Sequence, residues 1–366
     1  MFERTRRIGL LGVTGSLGLK VIDQIESLPN ASEEYCLILR DYSDGLRLSH
    51  SKLPMRFFCE CDATQIYSDI DTLIHMVMGN DTEFLPSLRS WQSAVKLRPT
   101  RIVFVSSSVV YGGVEPDYQL GVIPTRHPLA DSYALAKLEC ESFLKHHASS
   151  DFQVCILRPS IVYGAGSNWV MEAVESILSN QCALPSDGNG FANLILVDDL
   201  ARLCMKMATS PTIQDFAAVP VGDGAPTTWR KFYEEIAFAM GHVSVSVVEP
   251  TISPKARRTK AHKLLTSVRE SSVYEKIQRK IPRSMRSFGL SFLMPPQGLK
   301  SVVEQFTEFS SKPNPAISES LAALFSTKWQ IDNNRIPNEY RLDAYTSLRD
   351  GCANSIAWML SQGFCS

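Results

Sequence analysis

A tyrosine and a lysine four residues apart form the pair in this sequence whose types and spacing best suit proton transfer. Tyr133 and Lys137 lie in the segment Ser-Tyr-Ala-Leu-Ala-Lys, within a stretch whose pattern predicts a helix. On a helix this spacing places the phenol and the ammonium on one face, about one turn apart. A neighbouring cation stabilises the phenolate and lowers the tyrosine pKa from its usual value of about 10. Such a tyrosine can exchange a proton with a hydroxyl or carbonyl group near neutral pH.

A glycine-rich segment near the N-terminus indicates which cofactor would take the hydride. The segment follows a predicted strand and opens a predicted helix, so its glycines would allow a tight turn and close approach of the backbone to a pyrophosphate. The helix N-terminus would add N–H donors and a partial positive charge. The alternative is an ordinary strand-to-helix turn. The candidate cofactor-binding residues here are Gly12, Thr14, Gly15, Ser16, Leu17 and Gly18.

Residues that follow the second and third predicted strands bear on the choice between NAD and NADP. Arg40 and Asp41 come directly after the second apolar run. An acidic residue there would bind the ribose 2′-hydroxyl of NAD, and an arginine would accommodate the 2′-phosphate of NADP. Because Arg40 comes first, we favour NADP slightly and leave open which of the two is merely solvated. Asp62, with Ala63 beside it, would accept from the adenine amino group or else cap a helix.

The elements that must position these residues alternate between strands and helices. The apolar patterns predict strands over 7–11, 35–39, 55–60, 72–77, 101–105, 153–157 and 216–221. They predict helices over 16–27, 82–97, 131–147, 169–179, 198–208, 228–240 and 345–360. Such alternation implies parallel pairing with helices on both faces. We therefore predict an α/β fold, a doubly wound parallel sheet with a smaller, partly helical C-terminal substrate-binding region.

Composition excludes several classes of protein. The chain has 366 residues and a net charge of −1, so no overall field attracts nucleic acid. No apolar run reaches the roughly 18 residues that a transmembrane helix needs. The nine cysteines are scattered, and we expect Cys59 and Cys61 to pack on one face of a strand rather than to bind metal. We expect a cytoplasmic protein with reduced thiols, a small-molecule substrate and no metal.

Residues 255–286 are the main shift in composition. They hold eleven Lys or Arg residues against Glu270 and Glu275. This charge would flank an anionic substrate such as a nucleoside diphosphate, lie on an anionic membrane surface, or simply be solvated on a helical face. Peripheral membrane contact therefore stays open, as does a homodimer. The histidines expected to be structural or loop residues are His75, His127 and His262.

Six segments, taken in order, resemble the extended short-chain dehydrogenase/reductase family, the branch that contains NAD-dependent nucleotide-sugar epimerases and dehydratases. They are residues 12–18, 105–112, 133–137, 157–166, 196–200 and 221–224. The resemblance covers most of the chain. It implies an NAD(P)-binding Rossmann domain over residues 1–165 and a substrate-binding region over 166–366, with strands and helices that return to the first domain.

The resemblance also implies a role for each matching residue. Tyr133 would be the catalytic acid and base, and Lys137 would lower its pKa and hold the nicotinamide ribose. Ser107 would polarise the substrate carbonyl, unless it is only a polar strand end. Ser108 is the second choice, since the strand register decides which serine faces the site. The residues implied to line the nicotinamide are Pro159 and Ile161.

Two departures from the family pattern narrow the expected reaction. Dehydratases of the family carry Asp-Glu after the catalytic threonine, where this chain has Ser108 and Val109, so we do not expect a 4,6-dehydratase. The predicted helix over 82–97 lacks the asparagine that the family often has, so a proton relay through that residue is in doubt.

We therefore expect an NAD(P)-dependent oxidoreductase or epimerase that acts on a secondary alcohol or ketone of a nucleotide sugar. One alternative is a hydroxysteroid- or dihydroflavonol-type dehydrogenase/reductase. Another is a non-catalytic NAD(P)-binding sensor or scaffold, although relatives of that kind usually lose the tyrosine or the lysine. Candidate substrate contacts are Ser108, Asn168 and Arg230, of which Arg230 would reach a phosphate or lie on the surface.

Overall fold

The computed structural model describes residues 5–28, 32–78, 84–95, 100–126, 131–253 and 315–361. The basic segment at 255–286 lies outside the described residues, as do His127 and His262. The chain divides into two compact units. The first comprises Met1–Ser167, Asn193–Pro226 and Trp329–Ser347, and the second comprises Asn168–Ala192, Thr227–Lys328 and Leu348–Ser366.

A seven-stranded parallel sheet forms the centre of the first unit. Its strands are β1 (Arg7–Leu11), β2 (Glu34–Leu39), β3 (Met55–Phe57), β4 (Thr72–His75), β5 (Thr100–Val105), β6 (Phe152–Pro159) and β10 (Phe216–Val221). Their spatial order is β10-β6-β5-β4-β1-β2-β3. The strand order reverses between β1 and β4, which makes this the switch point of a doubly wound Rossmann-type sheet. The predicted fold class is confirmed.

Helices cover both faces of this sheet and bury alternate residues of its strands. They are α1 (Ser16–Ser27), α2 (Tyr42–Arg47), α3 (Ala63–Ile66), α4 (Phe84–Val95), α5 (Ser132–His147) and α7 (Val197–Thr209). On β5, Val103 packs in the core that contains α1 and α7, whereas Phe104 packs in the core that contains α4 and α5. All six residues of β5 are buried, as expected for a parallel strand with both faces covered.

The second unit is smaller and mainly helical among its described residues. Its helices are α6 (Asn168–Leu178), α8 (Trp229–Ala239), α9 (Glu319–Phe325) and α10 (Leu348–Ser361). Two short parallel pairs accompany them, β8 (Cys182–Ala183) with β11 (Val247–Val248) and β12 (Thr251–Ile252) with β13 (Ala316–Ile317). Trp229 is fully buried and packs against Trp169 and Phe325. In the first unit, β7 (Ile161–Tyr163) pairs in parallel with β9 (Leu194–Leu196).

Differences from the predicted elements have local causes. The predicted strand over 55–60 ends at Phe57, because the chain turns there and Glu60 N donates to Phe57 O at 3.0 Å. Cys59 and Cys61 are therefore exposed, and the prediction that they pack on one strand face is wrong. The short helices α2 and α3 escaped prediction, since each has too few residues to show a period. In the described part of the chain, no helix is both long and apolar enough to cross a bilayer.

Candidate active site

Close backbone packing explains Gly12, in the turn after β1, and Gly18, in the first turn of α1. Gly12 has a φ of +88°, a conformation that favours glycine. A Cβ on Gly12 would lie 2.6 Å from the backbone carbon of Met76, at the end of the neighbouring strand. A Cβ on Gly18 would lie 2.3 Å from Val13 Cα, so α1 approaches the turn more closely than a side chain would permit.

Gly15 has another environment, which fits the phosphates of a dinucleotide. It is the N-cap of α1, and no side chain caps the helix there. The nearest atom to a Cβ on Gly15 would be Gly12 O at 3.6 Å, so the space in front of the helix remains open. The first-turn N–H groups of a helix have no intrahelical acceptor, and together with the helix dipole they bind anions. Thr14, Ser16 and Leu17 flank Gly15 in the chain; Ser16 is exposed, and the other two are half-buried.

Arg40 and Asp41 have different roles at the end of β2. Asp41 is the N-cap of α2, and its Oδ1 accepts from Ser43 N at 2.9 Å, Asp44 N at 3.2 Å and Ser43 Oγ at 2.6 Å. These hydrogen bonds lower the pKa of Asp41. Arg40 donates to Asp44 at 3.1 Å, but its side chain is 69% exposed. The arginine is therefore accessible, while one carboxylate oxygen of Asp41 is occupied by its helix.

Asp62 has the structural role that the sequence left open as an alternative. Its Oδ1 accepts from Gln65 N at 2.9 Å, and the Gln65 side chain accepts from Asp62 N, which completes a capping box at the start of α3. Ala63 is the first residue of that helix. Contact of this turn with an adenine ring stays a prediction.

The structure brings Tyr133 and Lys137 together on α5. Asp131 caps this helix by accepting from Ala134 N at 2.8 Å. The Nζ atom of Lys137 lies 5.6 Å from the centroid of the Tyr133 ring, as the four-residue spacing implies. The phenol hydroxyl of Tyr133 donates to the sulfur of Met78 at 3.5 Å. The ring is half-buried, so its hydroxyl lies at the edge of the protein interior.

Lys137 is fully buried among aromatic rings. Its Nζ lies 4.1 Å from the centroid of Phe84 and 4.8 Å from that of Phe104. It also donates to the carbonyl oxygen of Val105 at 3.0 Å, at the C-terminal end of β5. The faces of aromatic rings attract cations, and the attraction increases when water is excluded. These rings offset part of the cost of keeping the ammonium out of water.

The serines after β5 differ in their surroundings. Ser107 is the N-cap of a 3-10 helix, Ser108–Tyr111, and its Oγ accepts from Val109 N at 3.4 Å. Ser107 is half-buried, and this contact leaves its hydroxyl proton for another acceptor. Ser108 lies in the first turn of that helix rather than on a strand face, because the strand ends at Val105. The expectation that strand register decides between Ser107 and Ser108 is therefore wrong.

A buried ion pair joins the elements that carry these residues. Glu141 and Arg158 are 0% and 1% exposed, and their closest approach is 2.7 Å. Ser106 Oγ donates to Glu141 at 2.5 Å, and Arg158 donates to Tyr111 Oη at 3.0 Å and to Val122 O at 2.9 Å. Burial lowers the pKa of Arg158, but the charge and hydrogen bonds of Glu141 outweigh that effect and raise it. These interactions connect helix α5, residues 106–111 and the end of β6.

Four other predicted site residues are divided between the two units, with two in each. Pro159 is buried at the end of β6, and Ile161 is buried at the start of β7. Asn168 is the first residue of α6 in the second unit. Arg230, also in the second unit, forms ion pairs with Asp187 and Glu234. Its positive charge is therefore already matched by two carboxylates.

Sequence reasoning missed four residues around the pair. Glu141 follows Lys137 by one helical turn, and Arg158 interrupts an apolar strand, so both carried a signal for a buried charge. Phe84 and His75 carried none, because an aromatic residue at a helix start and a histidine in an apolar run usually indicate core packing alone. Within the described ranges, no cluster of His, Cys, Asp or Glu residues is arranged to hold a metal ion.

The sheet order, the open turn at Gly15 and the Tyr–Lys pair on α5 define a dinucleotide-binding protein of the short-chain dehydrogenase/reductase class. The sequence profile of the NAD dependent epimerase/dehydratase family matches residues 8–218, more than half of the chain. The chain belongs to this family and is therefore an NAD(P)-dependent enzyme of the epimerase and dehydratase type. The family predicted from the sequence motifs is confirmed.

Solved structures with the same fold span nearly the whole chain. WbmH from Bordetella bronchiseptica, in complex with NAD⁺, matches with a TM-score of 0.58 and 13% identity, over 98% of this chain and 100% of that one. UDP-N-acetylglucosamine 4-epimerase from Methanobrevibacter ruminantium M1, in complex with UDP-N-acetylmuramic acid, matches with a TM-score of 0.56 and 16% identity, over 98% and 99%. At these identities the likeness concerns the fold alone.

A relative of another kind is much longer than this chain. The hybrid PKS-NRPS synthetase xenE of Xenoacremonium sinensis is 25% identical over 227 residues. The match covers 54% of this chain and 6% of that synthetase.

Proposed function

We propose that this protein catalyses hydride transfer between a nicotinamide cofactor and the carbon of a secondary alcohol or ketone, with Tyr133 exchanging the accompanying proton. The observation that carries the proposal is the pairing on α5, where the Lys137 ammonium lies 5.6 Å from the centroid of the Tyr133 ring. A neighbouring ammonium stabilises the phenolate, so Tyr133 would act as acid or base near neutral pH.

The other residues of the proposed site bind and orient. The bound nicotinamide would supply or accept the hydride. The hydroxyl of Ser107 would donate to the substrate oxygen that Tyr133 protonates or deprotonates. Lys137 would hold the nicotinamide ribose as well as tune Tyr133, and the buried Pro159 and Ile161 would exclude water from one side of the ring. The open turn at Gly15 would bind the pyrophosphate.

We propose NADP as the preferred cofactor. Arg40 is the accessible charged side chain at the end of β2, and a guanidinium matches the geometry of a phosphate. Asp41 already accepts three hydrogen bonds at the start of α2, which reduces what it can offer to the 2′-hydroxyl of NAD. Asp62 and Ala63 are proposed to contact the adenine. The first unit would thus hold the cofactor.

For the substrate we propose first a nucleotide sugar, with the protein acting as an epimerase or a ketoreductase. The family supports this choice, and structures with the same fold include a UDP-N-acetylglucosamine 4-epimerase. Asn168 and Ser108 remain candidate contacts to the sugar. A 4,6-dehydratase is not proposed, because Ser108 and Val109 occupy the positions where the elimination needs carboxylates.

A second candidate is a reductase of a carbonyl compound other than a nucleotide sugar, such as a steroid or a dihydroflavonol. Two observations favour it. Arg230, the candidate phosphate ligand of the second unit, already forms ion pairs with Asp187 and Glu234. The curated relative is a hybrid PKS-NRPS synthetase rather than an epimerase.

The fate of the cofactor tests the proposal and separates these candidates. The protein would be purified, its bound nucleotide identified, and the protein then incubated with UDP-glucose, UDP-N-acetylglucosamine, a hydroxysteroid or a dihydroflavonol. An epimerase would interconvert a UDP-sugar without net consumption of cofactor, whereas a reductase would oxidise one NADPH for each product formed. Binding of NADP without turnover of any substrate would favour a sensor or scaffold instead.

A further inference from the structure

One aromatic side chain of α4 touches both members of the Tyr–Lys pair. Phe84 is the first residue of that helix and is fully buried. Its ring centroid lies 4.1 Å from Lys137 Nζ, closer than the rings of Phe104 and Tyr133 among the described residues. The same ring meets Tyr133 edge to face, with the centroids 6.0 Å apart and the planes at 76°.

The burial of Lys137 makes its contact with Phe84 important for stabilising the ammonium. Burial disfavours the charged form of a lysine, so a buried ammonium needs compensating interactions. The carbonyl of Val105 provides one, at 3.0 Å. The face of an aromatic ring provides another, because its quadrupole is negative there and water does not screen it. Of the rings that the structure describes around Lys137, Phe84 is the nearest and contributes most to this second kind of compensation.

A partly buried chain of hydrogen bonds fixes the first turn of α4, which carries Phe84. Ser87 Oγ donates to Phe84 O at 2.7 Å, and His75 Nε2 lies 2.7 Å from the same Oγ. With the serine proton donated to Phe84 O, the Nε2–H tautomer of His75 would donate to the same Oγ. Burial and the charge of Lys137 lower the pKa of His75 to about 3, so the ring is neutral at pH 7. His75 lies at the end of β4, and it thus connects the sheet to the turn that holds Phe84.

We propose that Phe84 is a positioning residue for the proton transfer, whose ring holds the Lys137 ammonium beside Tyr133, and that His75 and Ser87 fix this ring. The proposal rests on the function proposed above. Under this proposal, His75 and Phe84 together position Lys137, a role that neither residue indicates alone in the sequence.

Loss of the Phe84 ring should change the pKa of Tyr133 in one direction. Without Phe84, the ammonium is less stabilised and less well held beside the phenol, so the pKa of Tyr133 rises. Another titratable group that packs against Lys137, Cys140, stays neutral because burial raises its pKa to about 12. In the direction of alcohol oxidation, where the phenolate is the base, the pH profile of kcat/KM should shift upward by about 0.5–1 pH unit.

The experiment compares Phe84→Leu with Phe152→Leu. Phe152 is a buried phenylalanine of the same core, at the start of β6, so its replacement controls for lost packing. Substitution of Phe84 by mono-, di- and trifluorophenylalanine weakens the negative face of the ring in steps at nearly constant volume. We expect an upward shift of the pH profile for Phe84→Leu, graded shifts along the fluorinated series, and an unchanged profile for Phe152→Leu. The fluorinated variants keep the test decisive if Phe84→Leu fails to fold.

A second readout needs neither cofactor nor turnover. In protein labelled with [6-¹³C]lysine, the Lys137 signal should show an upfield ring-current shift, assigned by its loss in Lys137→Met. Phe84→Leu should remove most of that shift. A pH profile and a lysine signal that do not respond to Phe84→Leu or to fluorination would overturn the proposal. If instead Tyr133→Phe kept full turnover, the proposed function would fail, while the lysine signal would still report whether Phe84 holds Lys137.

Discussion

Arg40 and Asp41 are adjacent in the chain but have different roles at the end of β2. Asp41 satisfies backbone N–H groups of α2, a role that an N-cap carboxylate fills well. Arg40 pairs with Asp44 through its Nε atom, and its side chain is 69% exposed. The side chain of Asp44 is only 6% exposed, so we expect Arg40 to keep this ion pair when it contacts a phosphate.

Replacing Arg40 should therefore change the choice of cofactor. In Arg40→Gln we expect the affinity for NADPH to fall about 10- to 100-fold and the affinity for NADH to stay nearly constant, because a hydrogen bond to a charged group contributes about 1.5–3 kcal/mol. Fluorescence titration with each cofactor measures this. Arg47→Gln, an exposed arginine of α2, is the matched control. Equal losses for both cofactors would remove Arg40 from the discrimination.

At the scale of one element, two glycines at the start of α1 have different roles: packing of the fold requires Gly18, and we propose that cofactor binding requires Gly15. A Cβ on Gly18 would press on the backbone of Val13, which cannot move away easily. A Cβ on Gly15 would make only an ordinary contact, with Gly12 O at 3.6 Å.

Gly15 and Gly18 should respond differently to substitution by alanine. Gly18→Ala should lower the free energy of unfolding by about 1–3 kcal/mol, as overpacking does. Gly15→Ala should leave stability nearly unchanged but weaken cofactor binding by about tenfold or more, since its methyl group would enter the space proposed for the pyrophosphate. Thermal unfolding and cofactor titration of both variants provide the comparison. Full cofactor affinity in Gly15→Ala would contradict the proposed phosphate site.

The ion pair of Glu141 and Arg158 ties α5 to the end of β6. In Glu141→Gln the arginine would remain buried without a counter-charge, so we expect a loss of about 3–5 kcal/mol in the free energy of unfolding. The double variant Glu141→Leu/Arg158→Met should recover much of that loss, because no buried charge remains. Urea unfolding measures both, with the exposed Glu139→Gln as control. A loss as small as that of the control would show that water reaches the pair.

The fold of the whole molecule was readable from the sequence, because apolar runs with a period of two or of 3.6 residues determine which face each element buries. The predicted helix over 16–27 and strand over 216–221 match α1 and β10 residue for residue. The contacts around Lys137 could not be predicted. His75, Phe84 and Lys137 come from three different elements, and only the packing of those elements brings their side chains together.

The stability of the whole molecule should depend on pH through Asp223, in the segment that follows β10. Burial, with a smaller effect from the charge of Asp199, raises the pKa of Asp223 to about 6, above its usual value of about 4. The folded state therefore holds this proton more tightly than the unfolded state does. The stabilisation is present below about pH 4 and is lost as the pH rises through about 6.

Asp223→Asn should remove this dependence. Its melting temperature relative to that of the native protein should rise between pH 4 and pH 7, because only the native protein must ionise a buried carboxyl. The exposed Asp215→Asn is the matched control and should parallel the native protein. If the two curves for Asp223→Asn and the native protein ran parallel across this range, Asp223 would titrate as a solvated carboxyl.

The central claim is that Tyr133 exchanges the proton during hydride transfer, and Tyr133→Phe tests it most directly. The change removes one hydroxyl and keeps the ring that packs against Phe84. Under saturating cofactor, with a substrate identified by the incubations above, we predict that kcat falls about 10²- to 10⁴-fold, the range of general acid–base catalysis, while cofactor affinity is retained. Turnover equal to that of the native protein would contradict the account.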